Sequence, residues 1–553
     1  MRARTRSSFT LQNDGYFHRA GQRVVPIGVN YWPGSCGAAM WTMWPESEIQ
    51  RDLDTVTELG LNCVRFFLRW EDFAPSAERI EAQMLQRLGQ MLTWHQERGL
   101  MAHPSLFVGW MSGAIFRPKW HRSRNWFSSA KLRARAVALA KEAAAVCAEF
   151  PETVLAIDQG NELNCLPDCM QASVTDVGTW CESVSKAIKT AFPTVLVVSG
   201  NDQHQINSDT GWRLGEQRGC DFYSVHTYPF PAWHAWRCDG LEDPRMQTLL
   251  PFYVKCARAF GPVMVQEFGT LLTGSPQKCD RYLRAVLPAC ADAGANGFLW
   301  WCLRDIESRS HPYNKNPFEG LLGLVDEQRR VKDGLGYFLE FGRQLKVAPR
   351  PGESVDTAIY WPNEYYAREN PRNPGNQPND LGRGLAIAHY ALTTIRPQVR
   401  VTRLNQLRDL RRTSTLVIAG AKLTATEVAE LDRWVKQGGI LVFQGADPVT
   451  WGPELTALAG AAAVDFRAPE KLHVRMFGER WTFLPPIGSA MLELTPTTAK
   501  ALHASRRYGA LLLVNKRGRG RVITSPLDLR NAVDGDDRAK AVTWYRGLIR
   551  QTG

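Results

Sequence analysis

From residue 24 to about residue 345 the chain alternates short apolar runs with amphipathic segments. The runs are VVPIGV (from Val24), NCVRFF (from Asn62), LMAHPSLF (from Leu100) and VLAID (from Val154), then VLVVS (from Val195), DFYSVH (from Asp221), VMVQE (from Val263) and GFLWW (from Gly297). Each is apolar almost throughout rather than at every second position, as expected of parallel strands buried on both faces. Between them, Met84, Leu85, Leu88, Met91 and Leu92 fall on one helical face, as do Val177, Trp180, Cys181, Val184, Ala187, Ile188 and Ala191. Gly60, Gly99 and Gly294 each stand between a helical segment and the next strand, the place of a left-handed helix cap. Eight strand signals with intervening helices predict an α/β fold, a (β/α)8 TIM barrel over residues 1–345. The fifth unit is the weakest, because residues 201–219 give only a poor helical pattern.

A Pro/Gly-bearing stretch, KVAPRPGESVD from Lys346, reads as a linker. Beyond it the pattern restarts with AIYW (from Ala358), a helix near residues 381–392, TLVIAG (from Thr415), a helix over 424–437 and ILVFQG (from Ile440). These elements predict a small doubly wound α/β domain over residues 346–455. Short β-like runs then lead to a helix near 538–549, predicting a small β-rich domain over 456–553.

Composition narrows the function classes. With 44% hydrophobic and 22% charged residues the chain reads as an ordinary globular protein. No apolar run approaches the roughly 20 residues a membrane helix needs, so no membrane partner is expected. The basic start lacks the apolar core of a signal peptide, which favours a cytoplasmic location. The net charge of +12 is spread over the chain, with small clusters at 117–124, 408–412 and 516–521, and none carries a nucleic-acid motif. All twelve cysteines lie between Cys36 and Cys302 at irregular spacing, the pattern of buried thiols. Cys165 and Cys169 can form a disulfide or half a metal site, but no second pair at ligand spacing accompanies them, so neither metal nor cofactor is expected.

In a TIM barrel the chemistry sits at the C-terminal ends of the strands. Strand four ends in Gln159-Gly160-Asn161-Glu162 and strand seven in Gln266-Glu267-Phe268-Gly269, which puts two carboxylates at one mouth. Glycoside hydrolysis requires such a pair, one group protonated to serve the leaving oxygen and one ionised to attack the anomeric carbon. Arg65 can pair with Glu267 and keep it ionised. Asn161 can bond a sugar 2-hydroxyl, His226 and Tyr228 can bond the nucleophile, and Trp301 offers a sugar an apolar face. Neighbouring strand residues face opposite ways, so one of Trp300 and Trp301 packs outward.

Gly160-Asn161-Glu162, His226-Thr227-Tyr228, Gln266-Glu267-Phe268-Gly269 and Trp300-Trp301, in this order, resemble the signature of clan A glycoside hydrolases and of family 5 in particular. Asn30-Tyr31-Trp32-Pro33, the stretch from Phe67 to Phe73 and that from Phe107 to Gly113 are similar to bacterial exo-β-mannosidase-like members with a C-terminal amidotransferase-like domain. The resemblance implies double displacement, with Glu162 as acid/base and Glu267 as nucleophile. Burial and the charge of Glu267 are expected to raise the pKa of Glu162. The implied substrate is a terminal β-mannosyl residue, as in mannosyl-β-1,4-N-acetylglucosamine. Trp32, Trp70, Glu71, Trp110 and Glu319 are candidates for the sugar pocket. His103 lies too early in its strand to match the third-strand histidine of family 5 cellulases, which disfavours action on cellulose. The second domain resembles a class I glutamine amidotransferase, yet no cysteine follows Cys302, so a structural role is expected, including homo-oligomer contacts. A β-glucosidase, a β-galactosidase, a transglycosylase and a non-catalytic carbohydrate-binding protein are the competing readings.

Overall fold

The computed structural model describes residues 7–230, 238–270, 275–347, 356–363, 365–366, 380–396, 398–403, 413–420, 422–446, 451–485, 490–535 and 537–551. The basic cluster at 408–412 and almost all of the expected linker lie outside the described residues. The described residues fall into two compact units, one ending near residue 347 and one made chiefly of residues from 356 on.

The first unit is the expected barrel. Its strands are β1 (Ile27–Tyr31), β2 (Cys63–Phe67), β3 (Met101–Ser105), β4 (Ala156–Asn161), β5 (Leu196–Gly200), β6 (Tyr223–Thr227), β7 (Val263–Phe268) and β8 (Ala295–Trp300). They form one parallel sheet in the order β5-β4-β3-β2-β1-β8-β7-β6. β5 and β6 share no regular ladder; the Asp221 N–H donates to the Val197 carbonyl at 2.7 Å and the His226 N–H to the Asn201 carbonyl at 3.0 Å. Ser224 Oγ accepts from the Asn201 N–H at 2.8 Å and donates to the Ser199 carbonyl at 2.6 Å, which closes the ring.

Gly60, Gly99 and Gly294 have φ of +72°, +65° and +92°, the left-handed caps their positions predict. The fifth unit has only the single turn His204–Asn207 where its helix would be. An antiparallel meander of three-residue strands (Phe9–Leu11, Phe17–Arg19, Gln22–Val24) precedes the barrel and was not foreseen, since three residues are too short to show a period. Its Phe9 and Phe17 are fully buried with Cys63, Met101, Ala156 and Met264, so this segment plugs the floor of the barrel, opposite the strand ends that carry chemistry.

The second unit has a nine-stranded sheet. Five strands are parallel in the order Val399–Thr402, Thr357–Tyr360, Thr415–Ala419, Ile440–Gln444, Gly520–Ser525, and a mixed set of strands extends that last edge, beginning with Gly509–Arg517 antiparallel to Gly520–Ser525. The helices Asp380–Ile395, Ala425–Lys436 and Arg538–Arg550 correspond to the expected ones, and Thr424 with Glu427 forms a capping box on the second. The boundary expected at 455/456 does not divide the sheet. Gly520–Ser525 returns from the C-terminal part to pair with Ile440–Gln444, whose edge would otherwise present unpaired backbone. No helix among the described residues is long and apolar enough to cross a membrane.

Candidate active site

The site begins with polar residues set into apolar strands, where each must find a partner. Arg65 on β2 is fully buried. Its Nε and Nη2 donate to Asp158 Oδ2 at 3.1 and 2.7 Å, and Nη2 also to Asn161 Oδ1 at 2.8 Å. Nη1 donates to Asn30 Oδ1 at 2.9 Å and to Glu267 Oε2 at 3.2 Å. One guanidinium therefore joins β1, β2, β4 and β7. Asp158 completes the frame, its Oδ1 accepting the N–H groups of Gly160 and Gly200 at 3.0 and 2.8 Å.

Glu267 sits in β7 with both oxygens engaged: Oε1 accepts from the Tyr228 hydroxyl at 2.5 Å and Oε2 from Arg65. Burial pushes its pKa up and the charge of Glu162 adds to this, while Arg65 and the Tyr228 hydrogen bond pull it down. Glu162 follows β4 in the left-handed region, φ +49° and ψ +40°, which costs a non-glycine residue about 1–2 kcal/mol. Its N–H is pinned to the Gly200 carbonyl at 2.7 Å. Burial lifts the Glu162 carboxyl to about 8, and the added charge is chiefly that of Asp202 rather than the Glu267 charge the sequence suggested. Side-chain atoms of Glu162, His226 and Glu267 all lie within 4.8 Å of one another, so the two carboxylates face each other across one gap.

His226 divides its contacts differently from expectation. Its Nδ1 lies 3.1 Å from Glu162 Oε1 and 3.5 Å from Glu267 Oε2, so it bonds the first glutamate, and Tyr228 alone of the expected pair bonds the second. Asn161 gives one amide hydrogen to the Trp110 carbonyl at 2.8 Å, which leaves its second N–H for a ligand. Trp301 is nearly fully buried and donates from Nε1 to Glu319 Oε2 at 3.1 Å, so Glu319 joins the site through the indole. Burial raises Glu319 to about 7. Trp300 packs outward on Phe268 and Phe338, as the alternation requires. Trp32 stacks on Phe67 with ring centroids 5.3 Å apart, and its indole N–H has no protein partner.

Two further candidates, Trp70 and Glu71, have surroundings of their own. Trp70 is fully buried among Phe107, Trp120, His121 and Trp126, an aromatic cluster that leaves it no face for a sugar. Glu71 has one oxygen, Oε1, 3.8 Å from Arg69 Nε, and its buried Oε2 has no hydrogen-bond partner among the described residues. The residues to which sequence reasoning gave no role in the site are Asn30, Asp158, Gln266, Asp202 and His103, the last weighed and set aside. Asn30, His103, Asp158 and Gln266 carry the signal that marked Arg65, polarity inside an apolar run, whereas Asp202 lies in the polar stretch after β5 and carries no such signal.

Among the described residues, Cys165, Asp202 and His204 also bring ligand-type atoms within 4.8 Å of one another. His204 Nδ1 lies 2.5 Å from Asp202 Oδ2, and Asn164 Nδ2 donates to Asp202 Oδ1 at 2.7 Å, so the protein itself meets this carboxylate. Cys165 and Cys169 form no disulfide; Cys169 Sγ turns to the Leu163 carbonyl at 3.2 Å.

The family model for cellulase, glycosyl hydrolase family 5, matches residues 21–306, just over half of the chain. The chain belongs to glycosyl hydrolase family 5. The family 5 chain is a glycoside hydrolase and, over 98% of its length, is similar to the exo-beta-1,4-mannosidase Op5Man5 from Opitutaceae bacterium strain TAV5, with 41% identity, 99% of that chain covered and a TM-score of 0.91. A GH5_18 protein from Streptomyces cattleya, solved in complex with Manβ1-4GlcNAc, matches 71% of the family 5 chain and 99% of its own at 21% identity and a TM-score of 0.62. The cold-adapted β-galactosidase from Rahnella sp. R3 matches 95% of this chain and 89% of its own at 14% identity and a TM-score of 0.70, a likeness of fold. No curated protein matches the sequence.

Proposed function

We propose that this glycosidase is a retaining exo-β-mannosidase in which Glu162 is the acid/base and Glu267 the nucleophile. The observation that carries the reading is the facing pair of carboxylates in unlike surroundings. Glu267 accepts bonds from a guanidinium and a phenol, as an anion should, whereas Glu162 accepts from no Arg or Lys among the described residues and is held up to about 8 by burial. Retaining glycosidases hold their carboxyl groups about 5–5.5 Å apart, and an atomic approach within 4.8 Å is consistent with that spacing.

In the first half-reaction the Glu162 proton passes to the glycosidic oxygen as that bond breaks, and Glu267 Oε2 or Oε1 bonds the anomeric carbon. In the second, water attacks that carbon, its proton goes to Glu162, and Glu267 leaves as carboxylate. Arg65 and Tyr228 stay with Glu267 and accept its return to full charge. The choice of mannose rests on the likeness to the exo-mannosidase across nearly the whole chain, and mannosyl-β-1,4-N-acetylglucosamine is the first disaccharide to try.

A panel of nitrophenyl β-glycosides tests the sugar, with kcat/KM for the mannoside expected to exceed the glucoside and galactoside values at least tenfold. Glu267→Ala should lose nearly all activity and recover with azide, releasing the α-mannosyl azide. A β-azide, or activity near wild type, would overturn the assignment of the nucleophile.

A further inference from the structure

We propose that His103 and Gln266, which do not reach the carboxylate gap, are positioning residues that lock His226 into the tautomer with a bare Nδ1 and so reserve the transferable proton for Glu162. The proposal deepens the reading of Glu162 as the acid and rests on it.

His103 has no choice of tautomer. His103 Nδ1 lies 2.8 Å from the Ala156 carbonyl, which can only accept, so this nitrogen carries a hydrogen. His103 is fully buried and burial drives its pKa down to about 4, so it is neutral and its Nε2 is bare. The Gln266 side-chain atom 2.7 Å from that Nε2 must then be the amide nitrogen, which turns the amide oxygen toward His226. That oxygen lies 2.9 Å from His226 Nε2 and also only accepts, so His226 carries its hydrogen on Nε2. Burial pushes the pKa of His226 down as well, and its neutral ring has a lone pair on Nδ1.

Nδ1 points at Glu162 Oε1, 3.1 Å away, and past it at Glu267 Oε2, 3.5 Å away. A lone pair repels a carboxylate and attracts a carboxylic acid. The closer contact is satisfied only when Glu162 is protonated and donates. Glu267 has no need of that hydrogen, since Arg65 and Tyr228 already donate to it. The charged and titratable groups facing the pair agree with this division. Asp202 and Glu319 disfavour a second charge on Glu162, with Arg65 and His204 opposing them, while His226 is faced by Glu267, Asp158 and Arg65. A chain of three side chains thus carries the orientation of a backbone carbonyl on β4 across the barrel to the acid.

The first measurement is the imidazole nitrogen-15 pattern of His226 in the wild-type protein near neutral pH, assigned by its loss in His226→Gln. One protonated nitrogen, Nε2, and one bare nitrogen, Nδ1, are expected; an imidazolium or the opposite tautomer would overturn the proposal. The second is Gln266→Met, which keeps the volume and removes both hydrogen bonds. Its alkaline limb of kcat/KM should move at least one pH unit lower, costing tenfold or more at pH 8 and much less at pH 5.5, with KM nearly unchanged. A loss equal at all pH values would mean a merely structural role and sink the idea. The nitrogen pattern is read in the resting protein whether or not a mannoside turns over, so failure of the relay and failure of the mannosidase reading are told apart.

Discussion

At the scale of single residues, the proposed site gives two identical side chains different neighbours. The carboxyl of Glu162 is raised to about 8 mainly by burial, whereas an unfolded glutamate titrates near 4.3. Folding therefore favours its protonated form. Its contribution to stability is whole below the unfolded value and is lost as pH rises through about 8, where the folded protein must hold an unwelcome charge. Glu162→Gln removes that charge. Its melting temperature should exceed that of wild type by more at pH 9 than at pH 5, with a difference on the order of 1–3 kcal/mol at the upper end; scanning calorimetry at the two pH values checks this. In the wild type, kcat/KM should fall above about pH 8 as Glu162, the proposed acid, loses its proton. The two glutamates, Arg65 and Tyr228 were legible in the sequence because each ends or interrupts an apolar strand. His226 was legible as a member of the site but not its partner, because a ring between two carboxylates at 3.1 and 3.5 Å is assigned by distance alone. Trp70 misled because large aromatic residues serve cores and sugars equally.

At the scale of elements, strand ends are held in register by backbone contacts that leave no room for side chains. A Cβ on Gly200, at the end of β5, would stand 2.5 Å from Arg65 Nη2 and 2.8 Å from Asp158 Oδ2. Gly200→Ala should therefore push the guanidinium off Asp158, costing about 1–3 kcal/mol of stability and a larger share of activity. Urea unfolding together with kcat/KM would measure both, and unchanged values would show that Arg65 has freedom to move. The meander before the barrel is a second such element. Phe17 is fully buried at the floor, and Phe17→Ala should cost about 3–5 kcal/mol while KM stays near wild type, because the plug lies at the end of the strands away from the glutamates. The barrel strands were readable because their apolar runs are long; the plug was not, because its burial comes from two phenylalanines whose partners lie far away in sequence.

For the whole molecule, the chain order of elements and their partnership diverge in the second unit. A polypeptide cut after residue 455 loses Gly520–Ser525, the neighbour of Ile440–Gln444. The residues left from 356 to 455 should then fail to fold, seen as loss of their protection in hydrogen exchange, while the sequence pattern alone suggested a self-sufficient domain there. Local periodicity reports which segments are strands; it carries no information on which distant strand completes a sheet. The distribution of cysteine has a practical corollary. All twelve are free, most are buried, and no cysteine occurs after Cys302. Alkylation during denaturation thus acts as an internal clock for the opening of the glutamate-bearing half, and the C-terminal region stays silent in the same experiment. A mass spectrum taken over time would follow that opening alone, without any label being engineered in.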